Sequence, residues 1–105
     1  MELSPELKQR IEGEISKKGL CLFMKGTPSF PQCGFSQRAV ALLREVEADF
    51  HAVNVLEDEE IRNGIKVFGN WPTIPQLYVN KQLIGGSDIL MEMYEDGELA
   101  DVVKN

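Results

Sequence analysis

Five consecutive apolar residues, Leu20-Cys21-Leu22-Phe23-Met24, follow Gly19 and stop at Lys25-Gly26. A run this short, with no polar residue to turn toward water, reads as a strand buried on both faces. Periodic segments stand on either side of it. Ser4-Pro5 has the form of an N-cap followed by proline at the first helical position. Leu7, Ile11 and Ile15 then recur every fourth residue, which predicts a helix with one apolar face ending by Gly19. After the strand, "KGTPSFPQ" (25–32) holds two prolines and a glycine and predicts a loop. From Gly34 onward, Phe35, Ala39, Leu42, Leu43 and Val46 have helical spacing.

The second half repeats the alternation with a twist at its end. "FHAVNV" (50–55) alternates and is β-branched, predicting a second strand. Ile61, Ile65 and Phe68 predict a helix that stops at Gly69-Asn70. "QLYVN" (76–80) and "QLIGG" (82–86) are separated by one residue, which demands a hairpin around Asn80-Lys81. Asp88 to Tyr94 is helical again, Gly97 interrupts, and Leu99 to Val103 adds a last turn or two. The order α-β-α-β-α-β-β-α yields one parallel pair through a right-handed crossover and one antiparallel pair. The expected fold is α/β: a mixed four-stranded sheet flanked by helices on both faces, the layout of the thioredoxin-like fold. At 105 residues, 43% of them hydrophobic, the chain can fill a single core, so residues 1–105 are read as one domain.

Charge narrows the partners. The net charge is −6, with acids at Glu45–Glu47, Glu57–Glu60 and Glu92–Asp101 that read as solvated helix faces. An acidic chain without a basic stripe is not built for nucleic acid. No apolar run approaches the roughly 20 residues that span a bilayer, so no membrane partner is expected. The N-terminus lacks an apolar core and is too acidic for a transit peptide. Two cysteines make no disulfide framework and suit a reducing compartment. The expected location is cytoplasmic, or organellar if a presequence has been removed.

Those two cysteines have different surroundings. Cys21 sits inside the apolar strand and reads as an inert core thiol. Cys33 stands where the loop gives way to the second helix, and there the free N–H groups and the macrodipole favour a thiolate. Lys25, at the end of the preceding strand, can add positive charge across the loop, and Pro31 shapes the approach. Cys33 is therefore expected to be partly exposed and ionised, as a catalytic nucleophile or a metal ligand must be; the alternative is a small apolar filler.

Three residues on, where a dithiol enzyme keeps its second sulfur, stands Ser36. A hydroxyl cannot attack a mixed disulfide, so an external thiol must resolve it, or the lone thiolate serves to coordinate metal. A two-iron cluster and an isolated zinc site each want about four ligands. One accessible cysteine and one histidine, His51, read as a surface residue, cannot fill such a site. Two protomers supply two sulfurs, and the rest must be imported.

Cys33-Gly34-Phe35-Ser36 in "KGTPSFPQCGFS", with "NWPTIPQLYVN" and "LIGGSDI" at these spacings, closely resembles the monothiol glutaredoxins of the Cys-Gly-Phe-Ser class. The resemblance runs from about Leu20 to Val103. It implies that the imported thiols are glutathione and that Cys33 of each of two subunits ligates a shared [2Fe–2S] cluster. It also implies a homodimer when the cluster is bound, transfer to iron–sulfur acceptor proteins, a part in iron homeostasis, and partnership with BolA-like proteins.

The resemblance implies glutathione contacts too, position by position. Lys25 and Arg62 would face the glycyl carboxylate, a role that suits an Arg fork. Ile74, before the expected cis-proline Pro75, would pair through its backbone with the cysteinyl unit. Thr73 would help shape the pocket, and Trp71-Pro72 either joins it or simply packs a loop. Gly85-Gly86 would let the chain pass close to the ligand, Ser87 would offer backbone N–H groups to a carboxylate, and Asp88 would meet the ligand amine. The same Ser87-Asp88 pair also reads as an ordinary N-cap. Many members carry cysteine where this chain has Ser87, so an internal disulfide to Cys33 cannot form here. Longer relatives carry an N-terminal thioredoxin-like domain; this sequence reads either as a chain without one or as a module excised from such a protein.

Two main function classes remain at this point, beside a third in which the chain is a partner-docking module whose cysteine has no turnover role. The carrier binds and delivers a glutathione-ligated cluster; the enzyme is a glutathione-dependent oxidoreductase that deglutathionylates proteins. Both use Cys33.

Overall fold

A computed structural model describes residues 2–104. Helix α1 (Pro5–Ile15) starts as the sequence predicts: the Ser4 hydroxyl accepts the Leu7 N–H at 3.1 Å, with Pro5 in the first turn. It ends four residues before Gly19. Strand β1 (Leu20–Met24) is buried along its whole length. Helix α2 (Gly34–Glu45) follows the loop, and strand β2 (His51–Asn54) lies parallel to β1. A short 3₁₀ turn (Val55–Glu57) leads to α3 (Glu59–Phe68), capped by the Asp58 carboxylate on the Ile61 N–H at 3.1 Å. Strands β3 (Gln76–Val79) and β4 (Gln82–Gly85) form the hairpin; α4 (Ser87–Glu95) and α5 (Glu98–Val103) close the described chain.

The sheet order is β2-β1-β3-β4, with β1–β2 parallel and the other two pairs antiparallel. Between β1 and β3, Cys21 faces Tyr78 and Phe23 faces Gln76. Because side chains alternate along a strand, one face gathers Cys21, Phe23 and Tyr78 under α1 (Ile11, Ile15) and α3 (Ile61, Ile65). The other gathers Leu20, Leu22, Met24, Leu77 and Val79 under α2, α4 and α5. Helices therefore cover both faces, as expected for the thioredoxin-like fold. The hairpin turn places both Asn80 and Lys81 at positive φ, the geometry that matches strand twist in a two-residue loop.

Three local expectations change. The predicted 50–55 strand gives way at its end because the Asn54 side chain accepts the Leu56 N–H at 3.0 Å and starts the 3₁₀ turn. Phe35 shares the helical period of α2 yet is 57% exposed, while its neighbour Ser36 is the residue of that first turn that is fully buried. His51 is half-buried rather than a free surface residue: its Nε2 lies 3.1 Å from the Glu14 carboxylate, which also accepts from Lys17 at 2.7 Å.

Candidate functional site

The site is assembled at one end of the sheet from loops that leave β1, precede β3 and follow β4. The loop 25–32 is a tightly bonded structure. The Gln32 N–H donates to the Lys25 carbonyl at 2.9 Å, and the Gly26 N–H donates to Asn54 Oδ1 at 2.9 Å. Gly26 has φ +94°, and a Cβ there would lie 2.5 Å from the Phe30 carbonyl, so only glycine fits. The loop delivers Cys33 in extended conformation to the N-cap of α2.

Cys33 is half-buried with a free thiol. Partial burial pushes its pKa up, but the backbone N–H groups of Ser36 and Phe35, the Lys25 ammonium and the Ser36 hydroxyl pull it down, and the net direction is downward. Ser36 itself is fully buried. Its Oγ accepts the Lys25 N–H at 3.0 Å, which leaves the hydroxyl proton free to donate to the sulfur. The residue in place of a second thiol thus braces the first one. Cys21 is completely buried; desolvation above all, then the nearby Glu14 charge, pushes its thiol up to about 12.

A groove of about 180 Å³ lies beside α2, lined by Phe35, by Trp71 and Thr73–Pro75 of the loop before β3, and by the start of α4 from Gly86 to Ile89. It brings together the predicted Thr73, Ile74, Ser87 and Asp88. The Ile74–Pro75 peptide is cis, as expected. Lys25 adjoins Cys33 on the loop side. Arg62 belongs to the first turn of α3, is half-buried, and is not part of the groove lining.

The α4 terminus corrects the N-cap reading. Gly86, not Ser87 or Asp88, is the capping residue, and no side chain caps this helix. Ser87 is 95% buried, and its Oγ has no hydrogen-bond partner, the one such buried side-chain atom among the described residues. An orphaned hydroxyl beside open helix N–H groups suits an anionic or polar ligand atom. Close passage of Gly85-Gly86 serves the chain's own packing: Cβ atoms there would meet Ile89 at 2.8 Å and the Pro75 carbonyl at 3.0 Å. Asp88 is exposed, and its Oδ1 pairs with Arg38 Nη1 at 3.4 Å.

Sequence reasoning missed Arg38, Asn54 and Gln76. The Arg38–Asp88 pair joins residues fifty apart and leaves no local signature. Asn54, a strand-ending Asn before a helical segment, has the form of a cap and could have been found. Gln76, a polar residue opening an apolar strand after Pro75, was visible but unexplained. Among the described residues, no group of three or more His, Cys, Asp or Glu side chains is placed to hold a metal ion. No helix is long and apolar enough to cross a membrane, among the described residues.

Fold and site together define a thioredoxin-like domain with one acidified cysteine at a helix N-cap position and an adjacent groove. Residues 20–84 match the glutaredoxin family model, and the chain belongs to the glutaredoxin family, on its monothiol side. A relative is the mitochondrial monothiol glutaredoxin-5 of Lachancea kluyveri, 54% identical over 106 residues, covering 98% of this chain and 74% of that protein. Among solved structures, reduced apo GrxS14 of poplar is 46% identical with a TM-score of 0.82, covering 96% of this chain and 93% of that one. A buckwheat glutaredoxin solved with glutathione, 21% identical, shares the fold at TM-score 0.82 over 97% and 94% of the two chains.

Proposed function

We propose that this chain is a glutathione-dependent carrier of [2Fe–2S] clusters, acting in cluster assembly, transfer and iron homeostasis. The observation that carries the reading is the isolation of the Cys33 sulfur. It is ionised more readily than an ordinary thiol, yet Ser36 stands where a second sulfur could reach it, and Cys21 is sealed in the core. One chain thus offers a cluster a single thiolate, and a set of about four thiolates is completed by a second copy and two small-molecule thiols. Glutathione fits that role. The Ile74 backbone edge can pair with its cysteinyl unit. The open α4 terminus with Ser87 suits the γ-glutamyl carboxylate. Asp88 matches the amine, and Lys25 and Arg62 are the cations for the glycyl end. The cluster is cargo, passed to acceptor proteins or shared with a BolA-like partner, in a reducing compartment of the cytoplasm or an organelle.

The second reading is protein deglutathionylation, favoured by the same acidified sulfur. The Cys33 thiolate attacks the glutathione sulfur of a mixed disulfide, forming Cys33–S–S–glutathione and releasing the protein thiolate. A second glutathione thiolate then attacks the glutathione sulfur, freeing Cys33 and forming glutathione disulfide. Anaerobic reconstitution with iron, sulfide and glutathione separates the readings. The carrier gives a brown dimer with about one cluster per two chains, lost in Cys33→Ser. A colourless monomer that briskly reduces a glutathione mixed disulfide would establish the enzyme instead.

A further inference from the structure

The wall of the groove is held from beneath by a buried carboxamide. Gln76 is completely buried at the first position of β3, opposite Phe23. Its Nε2 donates to the carbonyl of Trp71 at 3.1 Å and to that of Thr73 at 3.2 Å. Its Oε1 accepts from the Tyr78 hydroxyl at 3.0 Å. Only one orientation of the amide satisfies this set, because the reverse would set an oxygen against two carbonyl oxygens.

The surrounding chain is shaped to the same end. Helix α3 finishes with Asn70 at positive φ, the Asn70 N–H on the Val67 carbonyl and the Trp71 N–H on the Lys66 carbonyl, a Schellman ending that starts the 71–75 segment. Gly69 leaves room for the network; a Cβ there would lie 2.5 Å from the Tyr78 hydroxyl and 3.0 Å from Gln76 Oε1. The segment is thus tied at Trp71 N–H to α3, and at the Trp71 and Thr73 carbonyls to Gln76. Ile74, the next residue, is the backbone edge offered to the groove.

We propose that Gln76 is a positioning residue for the ligand groove, fixing the Trp71–Ile74 backbone so that Ile74 can pair with an extended thiol peptide. This rests on reading the groove as a glutathione site. The requirement is specific to glutamine, because the position needs two donors for two carbonyls and one acceptor for a phenol. Ionised glutamate has no donor, methionine has neither, and asparagine is one methylene shorter.

Gln76→Glu turns that requirement into a pH dependence. Burial and two facing carbonyls favour the neutral acid, which can still donate one hydrogen bond; the carboxylate repels both carbonyls. The titratable groups on this sheet face are Tyr78 and Cys21, both pushed up by burial and uncharged at neutral pH, and His51 of β2, which stands opposite Cys21 and pairs with Glu14 of α1. Helix α1 meets the face through Ile11 and Ile15, and α3 through Ile61, Ile65 and Phe68; the cations of that stretch of α3 are Arg62 and Lys66.

The test titrates reduced glutathione anaerobically into wild type, Gln76→Glu and Gln76→Met, from mildly acidic to mildly alkaline buffer, by calorimetry. Trp71, the sole tryptophan of the chain, reports the segment by its fluorescence in the same samples. Relative to wild type, Gln76→Glu should bind nearly normally in acid and lose roughly tenfold in alkali, with Trp71 emission shifting in step. Gln76→Met should be weak throughout, and if it does not fold the glutamate variant alone decides. Affinities within twofold of wild type across the range, with unshifted emission, would overturn the proposal. Failure of the glutathione reading is a different result: the wild-type chain itself would give no binding.

Discussion

Removing the Ser36 hydroxyl should damage both the fold and the reactive sulfur, in amounts that can be told apart. Ser36 is fully buried, and its Oγ is the partner of the Lys25 N–H at 3.0 Å. In Ser36→Ala that donor loses its acceptor, and an unsatisfied buried N–H costs about 1–3 kcal/mol. Lys25 is only half-buried, so water can recover part, and the lower half of that range applies. For a domain of this size each kcal/mol lowers the melting temperature by about 4–8 °C, so a fall of roughly 4–16 °C is expected. The same substitution removes one of the groups that pull the Cys33 thiol down, so its ionisation should move up, toward the ordinary thiol range. The two effects are linked. A thiol whose pKa is depressed on folding stabilises the protein fully above its unfolded value of 9.0, and that stability is lost as pH falls through the folded value. The stability gap between wild type and Ser36→Ala should therefore widen as pH rises through that window. Thiolate ultraviolet absorbance measures the ionisation, and urea unfolding at several pH values measures the gap. Lys25→Ala is the control, because it removes charge and leaves the hydroxyl in place. A Ser36→Ala protein with unchanged melting and an unchanged Cys33 titration would refute the bracing role.

Asp88→Ala and Arg62→Ala should each weaken glutathione by about fivefold, the value of one partly exposed charge-assisted contact, with melting unchanged; calorimetry decides, and normal affinity in both would mean the ligand lies elsewhere. Cys21 governs the alkaline limb: the unfolded thiol ionises above 9.0, while the folded one holds its proton to about 12, so stability falls between those values. Unfolding Cys21→Ala over that range should give a shallower decline, by up to about 1.4 kcal/mol per pH unit. Glu14 governs part of the acid limb: burial raises its pKa, but bonds from Lys17 and His51 outweigh that and lower it from 4.5. Stability should thus fall as pH drops through its folded value, and Glu14→Gln should flatten that fall in acid-unfolding curves.

The layered fold was legible because its signals are local. A wholly apolar pentapeptide, a one-residue gap between two strands and helical spacing on either side each depend on neighbours in sequence. Cys33 was legible for the same reason, since a loop–helix junction is a local feature with a known field. Ser36 was visible as a missing thiol, but its bond to Lys25 depends on how α2 docks against the end of β1. Phe35 kept the helical rhythm of a core residue, yet periodicity could not show that Ser36, and not Phe35, is the buried residue of the first turn. Asp88 looked like a free acid because Arg38 comes from another helix. Ser87 looked like a cap because the chain's own cap, Gly86, has no side chain with which to announce itself.

The pairing of β1 with β3 also acts as a ruler. Phe23 opposite Gln76 sets one strand's exit toward the sulfur against the other strand's approach from the groove wall. A slip of one residue would invert which side chains face each layer. It would swing the carboxamide away from the Trp71 and Thr73 carbonyls and shift the wall about 3.4 Å along the strand relative to Cys33. Such a slip must also disrupt both cores, so the separation between the Cys33 sulfur and the groove is enforced by the stability of the whole sheet.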